Sequence, residues 1–368
     1  MVFFLTVIYI CIIFAAQLEI KMKILVTGAS GFIGSFLCEE GLHQGHEVWA
    51  GIRRSSSRRY LQDPSLHFIE LDFTQPERLD AQLAAHQQVH GAWDVVIHCA
   101  GVTKCARQED FELNNHQYTR HLAEGLMRRQ MTPRQFVYLS SLSIFGPIRE
   151  EVAHREFPQD SPCMYAPIRE DDKPCPNTAY GRSKLHAEQY LQQLGDRMPT
   201  VIFRPTGVYG PRERDYFLMA KSIRSHVDFS VGFRRQEITF IYVKDLARAI
   251  YLAIAKGVVH RAYFVSDGGI YESRAFSDLI QRELGHPWVL HIKSPLWLLK
   301  VISSVAGWGA SLMGKTSTLN RDKYQIMKQR NWQCDIEPLV QELGFVPEYD
   351  LERGVCETIA WYKQEKWL

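Results

Sequence analysis

The amino-acid sequence predicts an α/β fold, a doubly wound parallel sheet carrying a smaller, mainly helical C-terminal region. Three observations support this. Short apolar runs alternate with helically spaced segments from Lys23 to Phe203, the pattern that builds a parallel sheet with helices on both faces. The first run, Ile24-Leu25-Val26, ends in Gly28, Gly31 and Gly34, and a helically spaced segment (Phe32, Ile33, Phe36, Leu37) begins among them. Beyond Arg204 the regular alternation stops.

Taken in order, the strand at Lys23–Val26 is followed by a second at His46–Ile52, which runs into Arg53-Arg54-Ser55 and then Arg58-Arg59. A third, Leu66–Leu71, is closed by Asp72, and a fourth, Trp93–His98, runs into Cys99-Ala100-Gly101-Val102. Helical spacing covers Phe111–Arg129. A fifth strand, Arg134–Leu139, ends in Ser140-Ser141. The stretch from Gly146 to Asn177 is rich in Pro, Asp and Glu and long enough to be functional. A helix over Ala179–Leu194 leads to a sixth strand at Pro199–Phe203. Thr239–Val243 and Ala262–Val265 read as strands returning to the sheet edge, with a helix over Asp245–Lys256 between them.

Composition narrows the class. Of 368 residues 46% are apolar and 23% charged, ordinary values for a globular protein, and a net charge of +2 argues against a nucleic-acid partner. The eight cysteines contain no C-x-x-C pair and the histidines show no ligand spacing, so no metal site is expected. Reduced thiols and a cytoplasmic location follow, Cys163 and Cys175 being the one pair that shares a loop.

Residues 1–21 form an apolar extension. It has no Lys or Arg before its apolar run, lacks a convincing cleavage pattern, and is short of the roughly 20 residues of a spanning helix. Only Gln17–Lys21 separate the run from the first strand. Met22 is therefore expected to be the true start, a genuine anchor being the alternative.

The glycine turn has the physics of a dinucleotide phosphate site. Gly28 permits a sharp turn, Gly31 lets a pyrophosphate approach the main chain, and Gly34 lets the helix pack close to the strand. The helix N-terminus then offers unpaired N–H groups to anionic oxygens. The spacing is G-x-x-G-x-x-G, so the triplet needs support from elsewhere. That support is Tyr180-Gly-Arg-Ser-Lys184. Positions i and i+4 share a helix face, so Lys184 sits beside the Tyr180 hydroxyl and is expected to lower its pKa from about 10. A tyrosine so tuned serves as a general acid or base, and Ser140, Ser141 and Ser143 are candidates to hold the reacting oxygen.

These motifs, in this order, resemble the extended short-chain dehydrogenases/reductases of the NAD-dependent epimerase/dehydratase superfamily, a Rossmann-fold group. The resemblance runs from Met22 to the C-terminus. It rests on Thr27–Gly34, Asp72, His98–Gly101, Asn115 with Thr119, Tyr138–Gly146, Tyr180–Lys184, Arg204–Pro211, Phe240–Asp245 and Leu343–Pro347. It implies a dinucleotide-binding core over 22–204 that returns at about 238–266, and a substrate-binding region over 205–237 and 267–368. It implies Tyr180 as catalytic acid/base, Lys184 as its tuning partner and ribose ligand, Ser141 as orienter of the substrate oxygen, and Asn115 as holder of a water. Thr27, Gly28, Ser30, Gly31, Phe32, Ile33 and Gly34 would cradle the cofactor phosphates. Asp72 and Phe73 would hold the adenine, Ala100 and Gly101 line the cleft, and Pro205, Thr206 and Val208 pass the nicotinamide. A homodimer through paired helices is a further expectation. One departure stands out: Ser141 and Tyr180 are 39 residues apart, an enlarged loop that would cover the site.

No carboxylate ends the second strand, where NAD enzymes bind the adenosine 2′-hydroxyl; Arg53 stands there instead and suits a 2′-phosphate. NADP(H) is therefore favoured, with NAD(H) the alternative. Leu142-Ser143 after Ser141 argues against dehydration, and the motif contexts are closest to the 3β-hydroxysteroid dehydrogenase and dihydroflavonol reductase kind. Residues 295–313 carry one charge in nineteen, which fits a cap over an apolar substrate, peripheral membrane contact, or an ordinary buried helix pair. The expected activity is hydride transfer between nicotinamide and a secondary alcohol or ketone of an apolar, sterol-, lipid- or flavonoid-like substrate. Arg212, Arg214, Arg234 and Arg235 keep a nucleotide-sugar epimerase open. A non-catalytic dinucleotide-binding protein is the third reading, opposed by the presence of both Tyr180 and Lys184.

Overall fold

A computed structural model describes residues 21–105, 107–151, 164–296 and 321–368. The strands are β1 (Lys23–Thr27), β2 (Glu47–Ile52), β3 (His67–Glu70), β4 (Val95–His98), β5 (Gln135–Leu139) and β6 (Thr200–Pro205). They continue with β7 (Gly207–Tyr209), β8 (Val227–Val231), β9 (Glu237–Ile238), β10 (Phe240–Tyr242), β11 (Arg261–Val265), β12 (Tyr271–Glu272) and β13 (Leu290–Ser294). Seven of them form one parallel sheet in the order β11-β6-β5-β4-β1-β2-β3. The order reverses between β1 and β4, and ligands of such sheets bind outside the strand carboxyl ends at that point.

The helices are α1 (Phe32–His43), α2 (Pro76–His90), α3 (Tyr118–Arg128), α4 (Ala179–Leu194), α5 (Asp215–Arg224) and α6 (Val243–Ala255). After them come α7 (Ala275–Glu283), α8 (Arg321–Lys328), α9 (Glu337–Leu343) and α10 (Leu351–Gln364). The strand interiors are apolar on both sides because both faces are covered. Ile24 and Val26 face Leu37, Leu246 and Ile250 of α1 and α6, while Leu25 between them faces Leu79, Leu83 and Leu122 of α2 and α3.

The expected strand at Thr239–Val243 does not join this sheet. Its central residues form β10, which pairs in parallel with β7, a short run just after Pro205 that local pattern did not reveal as a strand. Only β11 reaches the edge, beside β6. The C-terminal region adds two more two-stranded ladders, β8 with β13 and β9 with β12, to its helices. Before α3 the helix is not uniform: Glu109–Phe111 is α-helical and Glu112–Gln117 is a π turn. Among the described residues no helix is long and apolar enough to cross a membrane. The N-terminal extension, residues 152–163 of the long loop (with Cys163), and most of 295–313 lie outside the described residues.

Candidate active site

β1 delivers the chain to Gly28, whose φ of +68° is a conformation that L side chains rarely adopt. A Cβ there would lie 2.8 Å from Ala100 Cα, so the ends of β1 and β4 touch. At Gly34 a Cβ would lie 2.2 Å from Gly28 O, which is how α1 comes so near the turn. Gly31 is the N-cap, its N–H donating to Gly28 O at 2.9 Å, and no side chain caps α1. Ser30, Phe32 and Ile33 complete this rim. Main-chain N–H groups and small residues at a helix N-terminus fit a pyrophosphate.

The end of β4 is held by a chain of buried hydrogen bonds. Thr119 Oγ1 donates to Asn115 O (2.7 Å), so His98 Nε2 donates to Thr119 (3.0 Å) and His98 Nδ1 accepts from Thr27 Oγ1 (2.8 Å). Ala100 N donates to the same Thr27 oxygen at 3.3 Å. Burial pulls the His98 pKa down to about 3, the Lys184 charge adding to it, so the ring is a neutral strut. Asn115, in the π turn, accepts from Val102 N (2.8 Å) and donates to Val102 O (3.1 Å) and Ser183 Oγ (3.0 Å). Gly101 admits no side chain: a Cβ would be 2.8 Å from Asn115 Oδ1 and 3.3 Å from Lys184 Nζ.

The second and third strands bring Arg53, Asp72 and Phe73 to the same end of the sheet. Arg53 is exposed at a turn closed by Ser56 N to Arg53 O (2.9 Å) and Arg53 N to Ser56 Oγ (3.0 Å). Arg58 lies over the Phe68 ring and Arg59 pairs with Glu365, whereas Arg53 makes none of the ion pairs found among the described residues. The Asp72 carboxylate accepts from Thr74 N (3.0 Å) and pairs with Arg78 (3.0 Å). The Thr74 hydroxyl chiefly, with help from Arg78, holds it below the usual carboxylate range. The Phe73 ring meets His98 edge-on, with centroids 6.0 Å apart. At the end of β6 is Pro205; Thr206 N donates to Val265 O (3.2 Å), and Val208 pairs with Ile241 across the β7–β10 ladder.

α4 starts at an N-cap, Thr178, whose hydroxyl accepts from Gly181 N at 2.9 Å. Its next two N–H groups, those of Ala179 and Tyr180, donate to Asp322 Oδ2 at 2.8 and 3.3 Å. Tyr180 and Lys184 both project inward. The Ser141 hydroxyl lies near enough to the Tyr180 phenol to draw its pKa down, and it accepts from Ser143 N at 3.2 Å. Ser140 N donates to Phe203 O, and the buried Ser140 hydroxyl has no hydrogen-bond partner among the described residues. Lys184 Nζ donates to Leu139 O at 2.8 Å and lies 5.0 Å from the centre of the Tyr138 ring.

The expected pKa order is reversed. Burial pushes Tyr180 up to about 12, opposed by the Ser141 hydroxyl, and lowers Lys184 from 10.5 to about 8. Helical spacing predicts proximity but not the loss of water, and desolvation is the largest influence on both groups, with neither among the causes of the other's shift. Tyr180 is therefore a protonated phenol at neutral pH, poised to donate a proton.

A model of the NAD dependent epimerase/dehydratase family matches residues 24–266. The chain belongs to that family. A protein of Bacillus subtilis described as an uncharacterized UDP-glucose epimerase, YtcB, is 28% identical over 365 residues, covering 92% of this chain and 98% of the relative. A sterol-4-alpha-carboxylate 3-dehydrogenase (decarboxylating) of Dictyostelium discoideum is 24% identical over 332 residues, covering 83% and 94%. Among solved structures, the dTDP-glucose 4,6-dehydratase DesIV of Streptomyces venezuelae with NAD and TYD bound superposes with a TM-score of 0.72. It is 20% identical and covers 94% of this chain and 98% of its own. This epimerase/dehydratase-family chain is thus a Rossmann-fold enzyme of oxidoreductase type that uses a nicotinamide dinucleotide, and an extended short-chain dehydrogenase/reductase.

Two features of this family member were not anticipated from local pattern. Asp322 supports the start of α4 from 142 residues away, a contact that only the fold creates. Arg204 at the end of β6 makes a buried fork to Glu188 of α4, with contacts of 3.2, 3.2 and 2.7 Å, tying the helix to the sheet. The described end of the enlarged loop is fastened at residues 164–168: Met164 N and Tyr165 N donate to the buried Glu237 carboxylate (2.6 and 3.1 Å), and Ile168 bridges to Cys334.

Proposed function

We propose that the enzyme reduces a ketone, or oxidises the matching secondary alcohol, on an apolar substrate, with NADP(H) preferred. The observation that carries this reading is the Ser141 hydroxyl beside the Tyr180 phenol, with Lys184 on the same helix hydrogen-bonded to Leu139 O, at the same strand ends as the glycine turn. Gly28, Gly31, Gly34 and the uncapped start of α1 would hold the pyrophosphate, Asp72 and Phe73 the adenine side, and Lys184 the nicotinamide ribose. When bound, the nicotinamide supplies or accepts the hydride. Ser141 would donate a hydrogen bond to the substrate oxygen and fix it beside Tyr180. Tyr180, kept protonated by burial, would give its phenolic proton to that oxygen as negative charge develops on it. Lys184 would stabilise the phenolate left behind, and Asn115 would hold a water that carries the replacement proton.

Arg53 supports the coenzyme preference: it is exposed at the end of β2, where no carboxylate is available for a ribose hydroxyl. The apolar substrate is supported by the near-uncharged run 295–313 and by the Dictyostelium relative, whose name is that of a sterol dehydrogenase. A second reading, nucleotide-sugar epimerisation, is favoured by Arg234 and Lys328 in a cleft of about 210 Å³ and by the name of the Bacillus relative. The test is net NADPH oxidation with a panel of steroid, flavonoid and aliphatic ketones, by wild type and Tyr180→Phe. Stoichiometric oxidation, abolished in Tyr180→Phe while NADPH still binds, is the expected result. Turnover of UDP-sugars without net oxidation would establish the second reading instead.

A further inference from the structure

On the outer side of the helices that carry the catalytic residues, three metal-competent side chains converge. Glu112 and His116 lie four apart in the π turn, and His186 comes from α4, two residues beyond Lys184. His116 Nδ1 is 2.5 Å from Glu112 Oε1, and His186 Nδ1 is 3.0 Å from Glu112 Oε2. One donor atom from each of the three lies within 4.8 Å of the others, and the two imidazole centroids are 5.9 Å apart. Among the described residues both ion pairs of Glu112 are to these imidazoles, so one carboxylate is shared by two rings that each aim a nitrogen at it.

We propose that Glu112, His116 and His186 bind a divalent transition metal of the zinc class, joining the π turn to α4. Two imidazole nitrogens and one carboxylate oxygen are borderline donors that suit zinc, cobalt or nickel over magnesium or calcium. Ligand bonds of about 2.0–2.2 Å place tetrahedral donors about 3.4 Å apart. The present spread therefore has to contract by about 1.4 Å at most, a change that rotation of the half-exposed His186 side chain provides. The metal takes the place of the contacts now made between carboxylate and rings, and the fourth position is left to water or a donor from outside. Local spacing alone conceals the site, since E-x-x-x-H supplies two ligands and the third is 70 residues further on.

The cluster opens to the surface, His186 being half-exposed, and none of its three side chains has a role in the reaction assigned above. Its consequence is mechanical: the π turn carries Asn115, and α4 carries Tyr180 and Lys184, so a bound ion fixes the two helical segments relative to each other.

The test uses full-length, tag-free protein treated with EDTA, dialysed, and titrated with ZnCl2 by isothermal calorimetry, with thermal unfolding followed in parallel. One zinc per chain is expected, with a rise in melting temperature. His116→Ala and His186→Ala should each weaken binding at least tenfold, while His43→Ala, at the far end of α1, leaves it unchanged. With CoCl2, wild type should show the visible absorption of low-coordinate cobalt and the two variants should lose it. Unchanged zinc affinity in both variants would place the metal elsewhere and overturn the proposal, as would the absence of saturable binding. A hydrogen-bonded cluster that only titrates with protons would show no cobalt spectrum in wild type, which overturns it equally.

Discussion

Replacing Lys184 by Met probes the charge at the centre of the site through stability rather than turnover. Burial lowers the Lys184 pKa from 10.5 to about 8. A base whose folded pKa is depressed loses its proton first in the folded chain. Between pH 8 and 10.5 the unfolded chain then holds more protons, and stability rises with pH across that window. The shift of 2.5 units corresponds to about 3 kcal/mol over the full window, and to about 2.5 kcal/mol between pH 7 and pH 10. Methionine carries no proton and lacks this rise. Its loss of the hydrogen bond to Leu139 O is a constant offset, and the buried tyrosines titrate alike in both proteins. The assay is urea unfolding of wild type and Lys184→Met at pH 7, 8, 9 and 10. The wild-type stability minus that of the variant should climb by about 2.5 kcal/mol toward pH 10. A difference flat to within about 0.5 kcal/mol would show that Lys184 keeps an ordinary pKa and that desolvation does not dominate the site.

Three further substitutions test separate parts of the architecture. Arg53→Glu should lower kcat/KM for NADPH by about tenfold or more, the loss of one charge-assisted contact, with NADH unaffected; equal losses for both coenzymes would remove Arg53 from the 2′-phosphate. Glu188→Ala leaves the Arg204 guanidinium buried without its partner and should cost about 3–5 kcal/mol in a denaturation curve; a loss below about 1 kcal/mol would mean that water reaches the pair. Asp322→Ala removes the acceptor for two N–H groups of α4 and should cost about 1 kcal/mol. It should lower kcat more than KM, and Asp322→Asn should recover most of the activity, whereas a kcat equal to wild type in the alanine variant would make the contact purely structural.

What was legible in the chain is what short-range chemistry decides. The strand at Ile24–Val26, the glycine turn and the helix over Ala179–Leu194 follow from apolar period and from residues that only certain turns accept, and the structure has them where the sequence predicts. β10 was misplaced because pairing partners are chosen by the whole fold, and its partner β7 is three residues long. Asp322 is invisible for the same reason: nothing near it in sequence points to α4. The spacing of Tyr180 and Lys184 puts both on α4, but the electrostatics there depend on how much water the surrounding layers exclude. The 39-residue interval between Ser141 and Tyr180 signalled an insertion, and only the structure shows that Glu237 anchors one end of it.

The π turn at Glu112–Gln117 makes this site sensitive to chain length as well as to residue identity. A π turn holds one residue more than the α-helical turn it replaces. Deleting a single residue there would restore the ordinary period; a π turn spends its extra residue locally, so the flanking helices would keep their phase and the change would fall on the turn itself. Leu122 and Leu126 would keep their places against the sheet, so the domain would still fold. Asn115 would swing off the main chain of Val102, and Gly101 would lose the side chain that crowds it. A one-codon loss in this segment would thus leave a stable, folded protein with an altered cleft, a kind of variant that substitution alone does not produce.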